Sequence, residues 1–207
     1  MLEIKNYRKE YGSHLILELD TLLIPKGVSW FQGVNGSGKS TFFKSVAGII
    51  PFKGQIILND ELEIQKDPVA FRKVVNYSYA EPRYPEFLSG LEIIKYHQKI
   101  YRSDLKEVEE LISEMGVKSY YRSKIGTYSS GMLKKISLIA AMIGSPKLLL
   151  LDEPLTTIDS DSQSILLEYL STLNLSILIA SHHALPVSKL QVNHHFIVEN
   201  KTIQKKS

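Results

Sequence analysis

The spacing of apolar and polar residues divides the chain into segments of different character. Over residues 1–81, apolar residues alternate with polar ones or form short β-branched and aromatic runs, as in β-strands. Turn signals such as Tyr11 followed by Gly12 separate these runs. The pattern predicts a helix over 40–46, a helical turn over 68–73, and strands over 2–4, 14–19, 28–31, 55–58 and 74–79, with residues 22–27 leading into the strand over 28–31.

Residues 82–124 show instead the three- and four-residue apolar spacing of amphipathic helices. One predicted helix begins after Ser103, its N-cap, and stops at Gly116. Its apolar face comprises Leu105, Val108, Leu111, Ile112 and Met115. Glu107 and its acidic neighbours are most simply a solvated face rather than a metal site. We interpret this block as a helical subdomain inserted into an α/β core.

The remaining segment contains a run of four leucines that leads into Asp152 and Glu153, as in a strand buried on both faces. A small-residue turn and a helix over 133–143 precede this strand. After it we expect a helix over 160–170 and strands over 175–180 and 196–199. In open parallel sheets, ligands bind at the C-terminal edge of the strands, which places Asp152, Glu153 and His182 at a candidate site.

Composition restricts the class of protein without assigning a function. The chain has 207 residues, of which 43% are hydrophobic and 23% charged, as in a soluble globular protein. No apolar run approaches the roughly 18 residues that span a bilayer, and the N-terminus lacks the apolar core of a secretory signal. The absence of cysteine excludes disulfides and thiolate metal sites. A net charge of +3 gives no argument for nucleic acid, and we expect Lys205 and Lys206 to form a solvated end.

A glycine-rich segment provides the most specific candidate chemistry. Its sequence GVNGSGKST fits G-x-x-x-x-G-K-[ST] between a predicted strand and a predicted helix. Glycines let successive N–H groups point inward and form an anion nest, to which the helix N-terminus adds further donors. Lys39 can reach terminal phosphates and the Ser40 hydroxyl can bind magnesium. We therefore predict a nucleoside triphosphate site, rather than an ordinary turn, formed by Gly33, Val34, Asn35, Gly36, Ser37, Gly38, Lys39, Ser40 and Thr41.

The two carboxylates after the leucine run complete this site. Asp152 can hold magnesium opposite Ser40, and Glu153 can polarise the water that attacks the γ-phosphate. Phosphoryl transfer depends mostly on positioning and charge neutralisation, so a lysine, a cation and a water-orienting carboxylate suffice.

Four motifs together resemble the ATP-binding cassette (ABC) ATPases. They are the glycine-rich segment, the leucine run with its two acids, His182, and the turn Tyr128-Ser129-Ser130-Gly131-Met132. The signature of that family usually reads L-S-G-G-Q, and this turn is similar to its Y-S-x-G-M variant. The resemblance extends from Tyr11 to about Glu199.

The resemblance implies a P-loop NTPase core of the α/β class, with a mainly parallel sheet and flanking helices. It also implies an N-terminal antiparallel β subdomain and an inserted α-helical subdomain. Residues 1–207 would form one ABC ATPase domain. Residues 1–81 and 132–207 would form the core with its β subdomain, and 82–131 the helical subdomain that ends in the signature.

Roles for further residues follow from the resemblance alone. Tyr11 would stack on adenine, although the local sequence equally allows an edge aromatic that covers the core. Ser129 and Gly131 would contact the γ-phosphate of an ATP held by a second subunit, in a head-to-tail dimer with two ATP molecules at the interface. Asp159 would cross this interface. His182 would contact the γ-phosphate and position water, and so act in catalysis with Glu153 and Lys39, while His183 has no assigned role.

One departure from the family pattern concerns the residue that touches magnesium and senses the membrane partner. The family usually has glutamine there, and this sequence has Ala80 followed by Glu81. Either Glu81 substitutes for the missing side chain or water completes the metal shell.

The leading hypothesis is a magnesium-dependent ATPase subunit of a transporter, with an exporter-type signature and separate transmembrane permease subunits. It would lie in the cytoplasm at the inner face of the membrane, without nucleic acid and without a regulatory domain. The alternatives are an ABC ATPase in a soluble, non-transport complex, or an ATP-binding switch with weak hydrolysis.

Overall fold

A computed structural model describes residues 1–104, 106–186 and 188–206 of the chain. Leu105, which the sequence places on the apolar face of a helix, lies outside the described residues, as does the side chain of Glu107. The described helices are α1 (Lys39–Val46), α2 (Pro68–Val74), α3 (Gly90–Tyr101), α4 (Lys106–Glu114), α5 (Ser130–Met142) and α6 (Ser160–Thr172).

Two sheets form the framework. An antiparallel sheet has the order β2-β1-β4-β5, with β1 (Leu2–Tyr11), β2 (His14–Ile24), β4 (Lys53–Leu58) and β5 (Leu62–Glu63). A six-stranded sheet has the order β10-β9-β3-β8-β7-β6, with β3 (Val28–Gln32), β6 (Val75–Ser78), β7 (Leu148–Asp152), β8 (Ser176–Ser181), β9 (His194–Glu199) and β10 (Thr202–Lys205). All of its pairings are parallel except that of β9 with β10. The predicted α/β fold, with an N-terminal antiparallel sheet and helices inserted between β6 and β7, is confirmed.

Strand β7 lies at the centre of the core because its side chains alternate between two apolar faces. Leu149 and Leu151 pack with residues of α5 and α6, whereas Leu148 and Leu150 pack with residues of α1. All four leucines are fully buried, and each contributes about 1.5–3 kcal/mol relative to an exposed position. The strand therefore holds the acids at its C-terminal end in fixed positions.

A cluster of aromatic rings packs between α1 and the strands of the two sheets. Phe42 lies 5.6 Å from Tyr7 and 5.7 Å from Phe31 between ring centroids, and Phe43 lies 5.4 Å from Phe31. These rings are fully buried, so the helix that follows the glycine-rich segment is anchored by its inner face.

Three local predictions differ from the structure. Residues 82–89 are not helical, because Pro82 and Pro85 disfavour helix, and α3 begins only after Ser89 with a capping box to Glu92. Val74 ends a helix rather than opening a strand. The strand predicted over 196–199 is not the last one, since β10 runs antiparallel to β9 as far as Lys205, while Lys205 and Lys206 are exposed as expected.

Candidate active site

The parallel topology brings three separate segments to one edge of the sheet. Strands β3, β7 and β8 run side by side, so the segments that follow them meet at their C-terminal ends. A cavity of about 460 Å³ lies there. Its lining includes Lys39, Glu153 and His182, together with residues 35–41. The sequence placed these residues in one site, and the structure brings them together.

Glycine is required at two positions of the loop for different reasons. Gly38, the N-cap of α1, has φ of 105° and lies against Leu17, whose Cγ would be 2.9 Å from an added Cβ. At Gly33, an added Cβ would lie 2.5 Å from the carbonyl oxygen of Val198. The loop therefore has this shape only with glycine at both positions.

Lys39 is folded into the loop that precedes it. Its Nζ donates to the carbonyl oxygens of Gly33 (2.7 Å) and Val34 (3.1 Å) and lies 3.8 Å from Oε1 of Glu153. The side chain is only 5% exposed, and burial lowers its pKa while the carboxylates of Glu153 and Asp152 act in the opposite direction. A phosphate group would offer this ammonium stronger acceptors than the loop carbonyls do.

Glu153 and His182 form a contact pair. Oε1 of Glu153 accepts a hydrogen bond from the backbone N–H of His182 (3.1 Å). The same oxygen lies 3.0 Å from Nδ1 of His182. The two groups are not aligned as a hydrogen bond, and Nδ1 has no hydrogen-bond partner among the described residues. Glu153 has φ of 46°, a left-handed conformation that turns its side chain away from the path of β7. The carboxylate is thereby placed between the lysine and the imidazole.

Asp152 has the chemistry of a ligand for a hard cation. The residue is 1% exposed, its Oδ2 accepts a hydrogen bond from the Tyr77 hydroxyl (2.9 Å), and its Oδ1 has no partner in the described part of the chain. Burial raises the pKa of this carboxyl, whereas Ser40, Tyr77 and Lys134 lower it. The described residues contain no cluster of three or more His, Cys, Asp or Glu that could hold a metal. A magnesium ion here would take Asp152 and Ser40 as ligands and complete its shell with phosphate oxygens and water.

A second cavity of about 790 Å³ adjoins these two residues on the side of the helical block. Asp152 and Tyr77 line it, and Ser40, Ala80 and Glu81 line both cavities. The structure therefore places Ala80 beside Ser40 and Asp152, where its methyl group would offer no ligand to a metal. Glu81, which follows Ala80 directly, is the carboxylate nearest to it in the sequence.

The signature residues do not line the Lys39 cavity. Ser129 caps α5, since its Oγ accepts a hydrogen bond from the N–H of Met132 (3.2 Å). Gly131 packs against the loop after β7, where an added Cβ would lie 2.5 Å from the carbonyl oxygen of Thr157. These two residues therefore present a separate helix N-terminus.

The two other residues implied by the resemblance also lie outside this cavity. Tyr11 is 52% exposed at the end of β1, with Nζ of Lys9 4.4 Å from its ring centroid. Asp159 caps α6 and forms an ion pair with Lys135 (2.8 Å), and its hydrogen bonds hold the pKa of its carboxyl below the usual range.

Two polar residues of the site escaped the sequence analysis. Tyr77 orients Asp152, and Lys134 is fully buried in α5 beside it. For Lys134, the available signal is a lysine at a core-facing position of an otherwise apolar helix. For Tyr77, no local signal distinguishes a hydroxyl with a partner from an ordinary strand tyrosine.

None of the helices in the described ranges is long and apolar enough to cross a membrane.

Comparisons with known proteins agree with this geometry. The family model described as "ABC transporter" matches residues 21–156. The lantibiotic transport ATP-binding protein SrtF of Streptococcus pyogenes is 30% identical over 211 residues, which cover 100% of this chain and 90% of that protein. The linearmycin resistance ATP-binding protein LnrL of Bacillus subtilis is 28% identical over 191 residues, which cover 88% of this chain but 61% of that protein.

Solved structures share the fold. An ATP-binding subunit of an ABC transporter superposes with a TM-score of 0.88 at 24% identity, and the match covers 100% of this chain and 90% of that one. A dimeric ATP-binding cassette in a post-hydrolysis state, bound to ADP and Pi, superposes with a TM-score of 0.79 at 17% identity over 100% of this chain and 98% of that one. The chain belongs to the ABC transporter family and is an ATPase subunit of that family.

Proposed function

We propose that the chain powers a membrane transporter through magnesium-dependent ATP hydrolysis in a head-to-tail dimer, with two ATP molecules at the interface. Residues 1–207 act as one ABC ATPase domain, whose helical subdomain spans 82–131. The observation that carries this proposal is the convergence of Lys39, Glu153 and His182 on one cavity, while Ser129 and Gly131 lie outside it.

The residues at this edge of the sheet have distinct tasks in hydrolysis. Lys39 leaves the loop carbonyls and binds the terminal phosphates, while the loop N–H groups and the α1 N-terminus hold the remaining oxygens. Ser40 and Asp152 would hold magnesium, which would neutralise charge on the phosphates. Glu153 accepts a proton from the attacking water, and His182 holds the γ-phosphate and the water in line.

The second half of each site comes from another subunit. The helix N-terminus at Ser129 and Gly131 offers free N–H donors and a positive dipole end, which suit a γ-phosphate. Because Ser129 and Gly131 do not line the cavity of their own chain, we assign these donors to an ATP bound to the partner subunit. Tyr11 stacks on adenine and Asp159 reaches across the interface, after exchanging its ion pair with Lys135 for contacts to the partner.

The dimer is tested with a hydrolysis-deficient chain. Glu153→Gln should change from monomer to dimer at saturating ATP and magnesium, measured by light scattering after gel filtration. Adding Ser129→Asp keeps an N-cap oxygen on α5 but puts a negative charge against the γ-phosphate, so the double variant should stay monomeric. A Glu153→Gln chain that remains monomeric contradicts the sandwich, and a double variant that still dimerises shows that another face is used.

A membrane partner is proposed to dock on the helical subdomain. Phe87 is 72% exposed and Tyr96 is 62% exposed in this block, and a partner that covered these large side chains would remove their apolar surface from water. SrtF and LnrL are named for lantibiotic transport and linearmycin resistance, which favours export, whereas the spermidine/putrescine import protein PotA of Clostridium acetobutylicum is also 30% identical over 167 residues. We therefore propose a permease encoded on a separate chain, with an exporter-type transporter preferred.

The docking proposal is tested by co-expression with a multi-span protein encoded next to this chain. The ATPase should sediment with membranes, and Phe87→Ser should release it while basal ATP hydrolysis is retained. Val69→Ser is the matched control, because Val69 is 57% exposed on α2, outside the helical subdomain. Recovery of the wild-type chain in a soluble complex would favour the non-transport alternative.

A further inference from the structure

Lys134 is a fully buried lysine whose ammonium has three backbone acceptors. Nζ donates to the carbonyl oxygens of Tyr79 (2.6 Å), Asp152 (2.8 Å) and Ala80 (3.3 Å). An ammonium has three N–H groups, so its donors match these acceptors. An apolar side chain at this position would leave three carbonyls without this donor.

These contacts join three parts of the site that are distant in sequence. Lys134 lies in the first half of α5, the helix that Ser129 caps. Tyr79 and Ala80 form the loop after β6, and Asp152 ends β7. Asp152 thus provides its backbone carbonyl to Lys134, and its Oδ1, which has no hydrogen-bond partner among the described residues, to the proposed metal position beside Ser40.

The charge of Lys134 matches its surroundings. Burial lowers the pKa of its ammonium to about 8, and the negative charges of Asp152 and Glu153 oppose that shift. The ammonium of Lys134 is therefore buried close to the end of β7, where its N–H groups hold the backbone carbonyl of Asp152.

We propose that Lys134 is a positioning residue for ATP hydrolysis, which ties the loop at Tyr79 and Ala80 to the metal-binding end of β7. The inference rests on the proposed magnesium-dependent ATPase function. Glutamine at position 80 could connect loop and metal through its side chain, and alanine cannot. Lys134 instead connects the loop to the end of β7 by binding the backbone carbonyls of Ala80 and Asp152. Because Lys134 lies in α5, this contact also reaches the helix that begins at the signature.

Three substitutions separate charge, hydrogen bonding and packing at Lys134. Lys134→Met keeps a long side chain but removes the N–H donors. Lys134→Gln keeps two N–H donors without the positive charge, and Lys134→Arg keeps the N–H donors and the charge. Residues that support metal ligands typically change metal affinity or activity about 10- to 100-fold when altered. We expect Lys134→Met to lower kcat and to raise the half-maximal magnesium concentration by such factors, Lys134→Gln to be intermediate, and Lys134→Arg to restore most of both.

Two readouts do not depend on turnover. The magnesium concentration needed for ATP to raise the melting temperature should increase in Lys134→Met, while ATP affinity in EDTA stays unchanged. Hydrogen exchange at the amides of 79–81 should be faster in this variant. The matched control is Lys95→Met, because Lys95 is an exposed lysine of α3. This substitution should change neither the magnesium concentration nor the hydrogen exchange.

Unchanged magnesium dependence and unchanged exchange in a folded Lys134→Met chain would overturn the inference. If that variant does not fold, Lys134→Gln and Lys134→Arg decide, because equal magnesium dependence in both would also overturn it. A wild-type chain without magnesium-dependent hydrolysis would contradict the proposed function itself, independently of Lys134.

Discussion

Glu153→Gln is expected to slow ATP hydrolysis by about 10²–10⁴-fold, the usual contribution of a general base. Glutamine has the same shape and keeps an oxygen that can accept the hydrogen bond from the N–H of His182, so the local structure should survive. It cannot accept a proton from water, and it removes the negative charge 3.8 Å from Nζ of Lys39. Steady-state phosphate release measures the loss, and a nucleotide titration should show ATP affinity retained.

The matched control for this substitution is Glu109→Gln. Glu109 lies on α4 with a side chain 64% exposed, where it pairs with Lys118 across 3.6 Å. Surface pairs of this kind contribute about 0–1 kcal/mol, so hydrolysis should be unaffected. A Glu153→Gln chain that hydrolyses ATP within a few-fold of the wild type would remove Glu153 from the role of base.

Lys39→Ala is expected to lower ATP affinity by at least about 10- to 100-fold, because hydrogen bonds to charged groups contribute about 1.5–3 kcal/mol each. The substitution also frees the carbonyls of Gly33 and Val34, so the loop loses its internal tie as well as its cation. Titration of a fluorescent ATP analogue, with and without magnesium, measures the loss.

For Lys39, the control is Lys66→Ala. The Lys66 side chain is 78% exposed and pairs with Glu63. Its replacement should leave ATP affinity unchanged, since Lys66 does not line the cavity around Lys39. If Lys39→Ala bound ATP with wild-type affinity, the glycine-rich loop would not hold the triphosphate as proposed.

Local sequence was sufficient for the parts of the site that come from contiguous residues. The glycine spacing around Lys39 and the leucine run before Asp152 are short patterns, and each predicted both an element and its chemistry. His182 needed the family resemblance, because a histidine after a strand is not specific.

Contacts between distant residues were beyond sequence reasoning. Lys134 meets its Tyr79 acceptor 55 residues away, and the Tyr77 hydroxyl meets Asp152 75 residues away. Such pairs depend on which strands become neighbours, and one sequence does not fix that order. The ion pair of Asp159 with Lys135 escaped prediction for the same reason, since it depends on how α5 and the loop before α6 approach each other.

The aromatic cluster beneath α1 has a consequence for the energetics and rate of nucleotide exchange. Phe42 and Phe43 are fully buried against Phe31, so the helix behind the phosphate loop has little freedom before ATP arrives. Because the glycine-rich loop and α1 already have a fixed shape, they lose little conformational entropy when the nucleotide binds, which favours a high affinity for it. Such a loop does not release its product by deforming, so in the proposed dimer ADP release would depend on separation of the two subunits rather than on motion of the loop.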